Sequence, residues 1–368
     1  MTDKGEATTI PDVKEQTAKA DPTAGGFTIG LAANDPDSDE TRFLLTPEVC
    51  GMLISSGLGV CMESEGGSSI SYTDDNYAEY GVEITDRDKV LKCDFVLSFA
   101  PLKADDIWKM NKGARMMCIF SSNLFRPDIL EAVTGNQICV ICLDRIISHN
   151  GVPVFADIID EVDGTTSIWY AQEAFSFLGG GKGMLLGGVP GVNPCEVLVI
   201  GEGKRVMHAC RAALSVGAMV TLLDNDISSL ELARETCGDR LNTAFILPRT
   251  LTNKVKSADV ILLDSCTNDF QFPTNLKGVV KKDAFVLDFN VSSPSLSTPR
   301  TVTQGLASCL LNFFNEVQQK GGFANELATT PGVRAGILAY QGKITNKLVA
   351  SVSGRECIDL EIMLERAN

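Results

Sequence analysis

Gly201 and Gly203 stand at the end of the apolar run Val197–Ile200, and Asp224 closes a second apolar run, Met219–Leu223. The stretch between them has helical spacing, so the order is strand, glycine turn, helix, strand, acid, the layout of a dinucleotide-binding βαβ unit. Gly201 lets the chain turn sharply off its strand. Gly203 lacks the Cβ that would hold backbone away from a pyrophosphate, and the helix that follows aims unpaired amides at that anion. Asp224 is placed to accept from the ribose hydroxyls of an adenosine, which favours NAD over its 2′-phosphorylated form. One position departs from the fingerprint: Val206 stands where a third Gly or Ala would allow close helix-to-strand contact.

A second candidate is Arg42, in Glu40-Thr41-Arg42-Phe43-Leu44-Leu45-Thr46-Pro47. It follows a predicted first strand and precedes a capped helix, where an open α/β sheet forms its binding crevice. A guanidinium there could clamp a carboxylate with two parallel hydrogen bonds, or it could pair with a nearby acid of the chain. The two histidines, His149 in a turn and His208 on the helix after the glycine turn, have no partner at catalytic or metal-ligand spacing and read as structural or solvent-facing. Cys139 and Cys142 form a C-x-x-C, but their apolar setting reads as a buried strand rather than a redox or metal pair. Asp160, Glu161 and Asp163 read as a helix N-terminal cluster, and Asp264, ending a strand, would oppose a pyrophosphate.

The elements that must position these residues alternate between strand and helix. Strands are predicted at Phe27–Leu31, Leu58–Met62, Val82–Ile84, Asp94–Phe99, Ala114–Phe120 and Gln137–Leu143, with Thr46 capping a helix that starts at Pro47. That alternation implies a parallel sheet covered on both faces. Gly164 opens a predicted helix, Ser167–Leu178. The glycine-rich run Gly179–Gly191 lacks a Gly-Lys-Ser/Thr ending and reads as a surface loop. After the βαβ unit, strands at Thr243–Leu247, Asp259–Leu263 and Ala284–Phe289 complete a second, five-stranded doubly wound sheet. A helix follows over Val302–Gln319, with two short ones in the tail, Asn325–Ala328 and Glu356–Glu365. The fold class is therefore α/β, two Rossmann-like doubly wound domains with a cleft between them. The expected division is a flexible tail over 1–26, a substrate-type domain from 27–163 plus 303–368, and an NAD-binding-type domain with a connecting helix over 164–302.

Composition narrows the function. The 368 residues carry a formal net charge of −15, which argues against nucleic acid or an anionic membrane as partner. No stretch has the length of a membrane span and the N-terminus lacks a signal-peptide layout, so the chain reads as cytosolic, with its cysteines mostly in apolar runs.

With these residues in view, the chain resembles the alanine dehydrogenase and pyridine-nucleotide transhydrogenase family. Glu40–Pro47 is similar to that family's E-x-R-V-A-L-T-P. Gly187-Gly188-Val189-Pro190-Gly191-Val192-Asn193-Pro194 leads into the glycine turn as it does there, and Pro299-Arg300-Thr301 matches its P-R-T before a long helix. The resemblance implies NAD(H) binding in the second domain through Gly201, Gly203 and Asp224, and Arg42 as the arginine holding a substrate carboxylate. It also implies no metal, and relatives are commonly oligomeric. The remaining functional positions are replaced. Ser98 stands at the family's substrate lysine, Ser121 at its catalytic histidine and Ser292 at its catalytic aspartate. Asp160 replaces a serine near the cofactor, and a segment with a V-P-N-type loop is absent before Pro299. Ser98 cannot polarise a keto oxygen with a positive charge, and Ser121 cannot exchange a proton near neutral pH. General acid–base help alone is typically worth about 10² to 10⁴ in rate. The expectation is a catalytically degenerate family member with weak or absent NAD binding, acting as a non-catalytic or regulatory subunit in a homo-oligomer or beside an active paralogue. The alternative is an active NAD-dependent amino-acid oxidoreductase with an altered site.

Overall fold

The computed structural model describes residues 26–264 and 272–365. Apart from Gly26, the expected N-terminal tail lies outside the described residues. The first sheet takes β1 (Thr28–Leu31), β2 (Gly59–Glu63), β3 (Glu83–Thr85), β4 (Phe95–Leu97), β5 (Arg115–Cys118) and β6 (Cys139–Cys142), all parallel. The second is parallel throughout: β7 (Glu196–Gly201), β8 (Met219–Asp224), β9 (Asn242–Phe245), β10 (Val260–Asp264) and β11 (Phe285–Asp288), in the order β11-β10-β7-β8-β9. These are the apolar runs of the sequence, because a parallel strand buried on both faces has no polar face to alternate with.

The tail was only partly anticipated. Its two predicted helices occur as Phe323–Thr329 and the shorter Leu360–Glu365. Between them β12 (Ile337–Tyr340) and β13 (Lys343–Ile344) join the first sheet, giving the order β13-β12-β6-β5-β4-β1-β2-β3. β12 runs antiparallel to β6, so the first sheet is mixed rather than wholly parallel.

Five helices carry the argument: α1 (Pro47–Ser55), α2 (Val154–Phe175), α3 (Lys204–Ser215), α4 (Ile227–Cys237) and α5 (Pro299–Gln319). Thr46 caps α1 by accepting from the Val49 amide, as its Thr-Pro start predicts. On α5, Val302, Leu306, Leu310 and Phe314 are fully buried at helical spacing and pack on the first sheet's core beside Ile29, Leu31 and Phe95.

The largest departure from the sequence reading concerns α2. The sequence pattern predicts a helix opening at Gly164, with the acids before it as an N-terminal cluster. Instead the helix begins at Val154 and runs unbroken through Asp160, Asp163 and Gly164. Its first half sends Phe155 and Ile159 into the first core, and its second half sends Ile168, Ala171 and Phe175 into the second. Gly164 is there because α3 packs against it: a Cβ would lie 2.4 Å from the Arg205 carbonyl oxygen and 2.8 Å from the Ala209 amide nitrogen. Gly164→Ala should therefore destabilise the fold by about 1–3 kcal/mol through overpacking, read as a lower urea midpoint, although alanine is the better helix former.

Candidate functional site

The glycine turn forms as its spacing requires. Gly201 has φ +128°, and a Cβ there would meet the Asp264 carbonyl oxygen of the neighbouring strand at 2.0 Å. Gly203 has φ +99° and precedes α3, whose N-terminus has no side-chain cap, and the space beside it is open. Val206 is buried in the second core with Val199 and Ala209. The close contact that the fingerprint's third glycine would give is found here between helices, at Gly164.

The surroundings of that turn are unlike an open dinucleotide crevice. Asp224 is fully buried, and its Oδ1 accepts from the amides of Asn225 and Asp226, so the carboxylate faces its own chain rather than a ribose. Glu202, between the two glycines, accepts from the Ser229 hydroxyl (3.4 Å) in the first turn of α4.

Arg205, in the first turn of α3, is set among three acids. Its Nη2 donates to Asp160 (2.8 Å), its Nε lies 3.6 Å from Asp163 and its Nη1 3.7 Å from Asp264. Burial works to lower the Arg205 pKa, but Asp160, Asp163 and Asp264 outweigh it and hold the guanidinium above its usual value. Burial raises the Asp160 pKa despite Arg205 beside it. Lys204 pairs with Asp157, and His208 lies 3.7 Å from Glu161. Burial lowers the His208 pKa against the neighbouring acids, and His149 is exposed. Asp160 and Asp264 thus both face Arg205.

Arg42 is the other half of the cleft. It is buried, its Nε and Nη2 fork both oxygens of Glu40 (2.7 Å each), and its Nη1 donates to Ser293 (2.9 Å) and Ser295 (3.0 Å). The guanidinium also lies over the Phe99 ring, 4.1 Å from its centroid. Ser293 in turn donates to Asp163 (3.0 Å), which also accepts from the Ser295 amide (2.8 Å). One polar chain therefore crosses the cleft: Glu40, Arg42, Ser293, Asp163, Arg205, Asp160.

Ser98, Ser121 and Ser292, which the resemblance sets at catalytic positions, are not brought together by any contact among the described residues. Ser98 is buried with a hydroxyl that finds no hydrogen-bond partner, Ser121 caps a short turn by accepting from the Asn123 amide, and Ser292 is exposed. Cys139 and Cys142 are both buried in β6, as read from their setting, and no group of three potential metal ligands occurs among the described residues.

Sequence reading missed Arg205, Ser293 and Ser295, and placed Asp163 in a helix N-terminal cluster rather than in the cleft. A signal was available for Arg205: Asp157, Asp160, Glu161 and Gly164 share one face of a helix, and so do Lys204, Arg205 and His208. The serines carried none, because their role depends on where a turn after β11 lands.

The residues present do not fit a bound dinucleotide. The ribose acceptor is buried and bonded to its own backbone, and Asp160, Asp163 and Asp264 stand around a guanidinium already committed to them.

Comparison with known proteins gives a consistent relationship. The profile described as "Alanine dehydrogenase/PNT, N-terminal domain" matches residues 33–158, and "Alanine dehydrogenase/PNT, C-terminal domain" matches 167–263. The chain is 24% identical over 365 residues to alanine dehydrogenase 2 of Staphylococcus aureus (strain USA300), covering 89% of this chain and 97% of that protein. Alanine dehydrogenase of Staphylococcus epidermidis (strain ATCC 12228 / FDA PCI 1200) is 23% identical over 364 residues, with 89% and 97% covered. Among solved structures, an L-alanine dehydrogenase superposes with a TM-score of 0.78 at 19% identity, covering 88% of this chain and 98% of that one. A transhydrogenase from Sinorhizobium meliloti does so with 0.71 at 15% identity, covering 87% and 99%. At these identities the superpositions establish the fold.

Proposed function

The chain belongs to the alanine dehydrogenase/transhydrogenase family, and from that premise we propose that it is a non-catalytic member, with weak or no NAD binding, that works as an interaction or regulatory subunit. The observation that carries this reading is the state of Arg42. The guanidinium that would clamp a substrate carboxylate is filled along its fork by Glu40 and on its remaining nitrogen by two serines. A substrate could enter that fork only by displacing a buried ion pair. The chemistry around it is missing as well. Serines at 98, 121 and 292 supply neither a cation, nor a base that exchanges protons near neutrality, nor a carboxylate.

An assembly role is supported by the loop after α2. Phe177, Leu178 and Leu185 are 83%, 98% and 69% exposed, and Met184, Val189 and Val192 add to the same apolar stretch. Large apolar groups crowded on one loop are unusual on a monomer and fit contact with a second copy or an active paralogue.

Two measurements test the reading. A spectrophotometric assay with L-alanine and NAD is expected to give no turnover. Titration with NADH to millimolar concentration is expected to leave the emission of the two tryptophans, Trp108 and Trp169, unchanged apart from inner-filter loss. Robust turnover by the native protein overturns the proposal and establishes an active oxidoreductase instead.

A further inference from the structure

The first sheet carries a thiol pair far from the cleft. Cys61 lies in β2 and Cys93 just before β4, and β1 runs between those strands. Their sulfurs nevertheless meet above β1, 3.2 Å apart. Gly30 makes the meeting feasible. It is the register partner of Cys61 on β1, and a Cβ at this position would stand 2.5 Å from the Val90 carbonyl oxygen and 3.1 Å from the Cys93 sulfur. A glycine on the middle strand thus leaves a slot into which sulfur enters from both flanks.

The slot communicates with solvent. Both cysteines line a groove of 430 Å³, together with Thr28, Glu83, Lys89 and Lys92, and each keeps 7% of its surface exposed. The other close pair in this sheet is sealed: Cys118 and Cys142 are register partners on β5 and β6, and both are fully buried.

We propose that Cys61 and Cys93 form an oxidation site that closes to a disulfide on reaction with a small peroxide admitted by the groove. Sulfur–sulfur contact at 3.2 Å needs a further approach of about 1.2 Å to reach bonding distance. The Cys93 thiolate attacks one peroxide oxygen, the O–O bond breaks, hydroxide leaves and takes up a proton, and Cys93 becomes a sulfenic acid. Cys61 then gives up its proton, its sulfur attacks the Cys93 sulfur, and the sulfenic oxygen leaves as water. In sum two thiols are oxidised and one hydrogen peroxide is reduced to two waters. Either sulfur of the contact can donate to the other; donation from the Cys61 thiol favours the Cys93 thiolate against burial. The site is independent of the cleft and of whether the cleft is catalytic.

The test uses the native full-length protein. After treatment with one equivalent of hydrogen peroxide, remaining thiols are alkylated under denaturing conditions and the chain is mapped by mass spectrometry without reduction. The expected product is a peptide pair joined through Cys61 and Cys93, lighter by two hydrogens and split by reductant, while Cys118, Cys139 and Cys142 stay fully alkylated. In Cys61→Ser the crosslink should vanish and Cys93 should accumulate as sulfenic acid, trapped by dimedone. Recovery of both cysteines as free thiols, or either one joined to a different cysteine, overturns the proposal. Because the decisive reading is made on the native chain, a variant that fails to fold does not weaken it.

Discussion

Arg205→Ala should lower the unfolding free energy by about 3–5 kcal/mol at pH 8, the range for removing one partner from a buried ion pair. The cause is what remains. Asp160, Asp163 and Asp264 have side chains 25%, 3% and 8% exposed, and Arg205 is the cation that all three face. Without it three carboxylates stand close together in a poorly solvated place, each raising the cost of ionising the others. The loss should shrink as pH falls, and the sign can be worked through. Burial already puts the Asp160 pKa above its ordinary value of 3.8 in the folded protein. A carboxyl whose pKa is higher folded than unfolded binds its proton more tightly when folded, so acid favours the fold. Removing Arg205 drives that pKa further up. The penalty is complete above the variant's folded pKa and fades as pH drops from there to the native protein's folded Asp160 pKa, itself above 3.8. Urea unfolding at pH 8 and pH 5.5 should bring variant and native protein closer together at the lower pH. A constant gap would mean that the acids are not what Arg205 holds. Arg205→Lys should recover only part of the loss, because an ammonium cannot reach three carboxylates from one fork.

This prediction depends on parts of the molecule that were unevenly legible in the sequence. The βαβ unit was readable almost to the residue: Val197–Ile200 and Met219–Asp224 are long apolar runs because both faces of β7 and β8 are covered, and a glycine turn must follow β7. The cap at Thr46 and Pro47 was readable for a similarly local reason. Gly164 was misread because a glycine in a helical pattern usually marks an end, whereas here it marks contact, and contact is invisible without the partner helix. β12 was missed because Ile337–Tyr340 is short and owes its strand form to β6 beside it. In the cleft the types and places of Arg42, Asp160 and Asp264 were visible, and their partners were not. Periodicity assigns a residue to a face. It does not say which acid an arginine on that face will meet.

Arg42 is where that difference matters most, because the same residue supports two readings with opposite consequences. A substrate clamp can be removed at little cost to the fold, whereas an internal tie cannot. Arg42→Ala should cost about 3–5 kcal/mol, since it strands the Glu40 carboxylate at 12% exposure and cuts the bond to Ser293 and Ser295 that fastens the segment after β11 to the first sheet. Glu40→Ala should also be costly, because it leaves the guanidinium over Phe99 with only two hydroxyl partners. The double variant should lose less than the two single losses together, with a coupling of about 0.5–3 kcal/mol, as for two groups in one network. Pyruvate supplies the complementary measurement. A carboxylate that had to enter the fork would compete with a Glu40 already bonded through both oxygens and placed two residues away, so the ligand would have to overcome an effective concentration that free solution does not reach. The thermal midpoint of the native protein should therefore be unmoved by millimolar pyruvate. A rise that Arg42→Lys abolishes would mean that Glu40 yields the fork to substrate, and the cleft would then have to be read as an active site in its resting state.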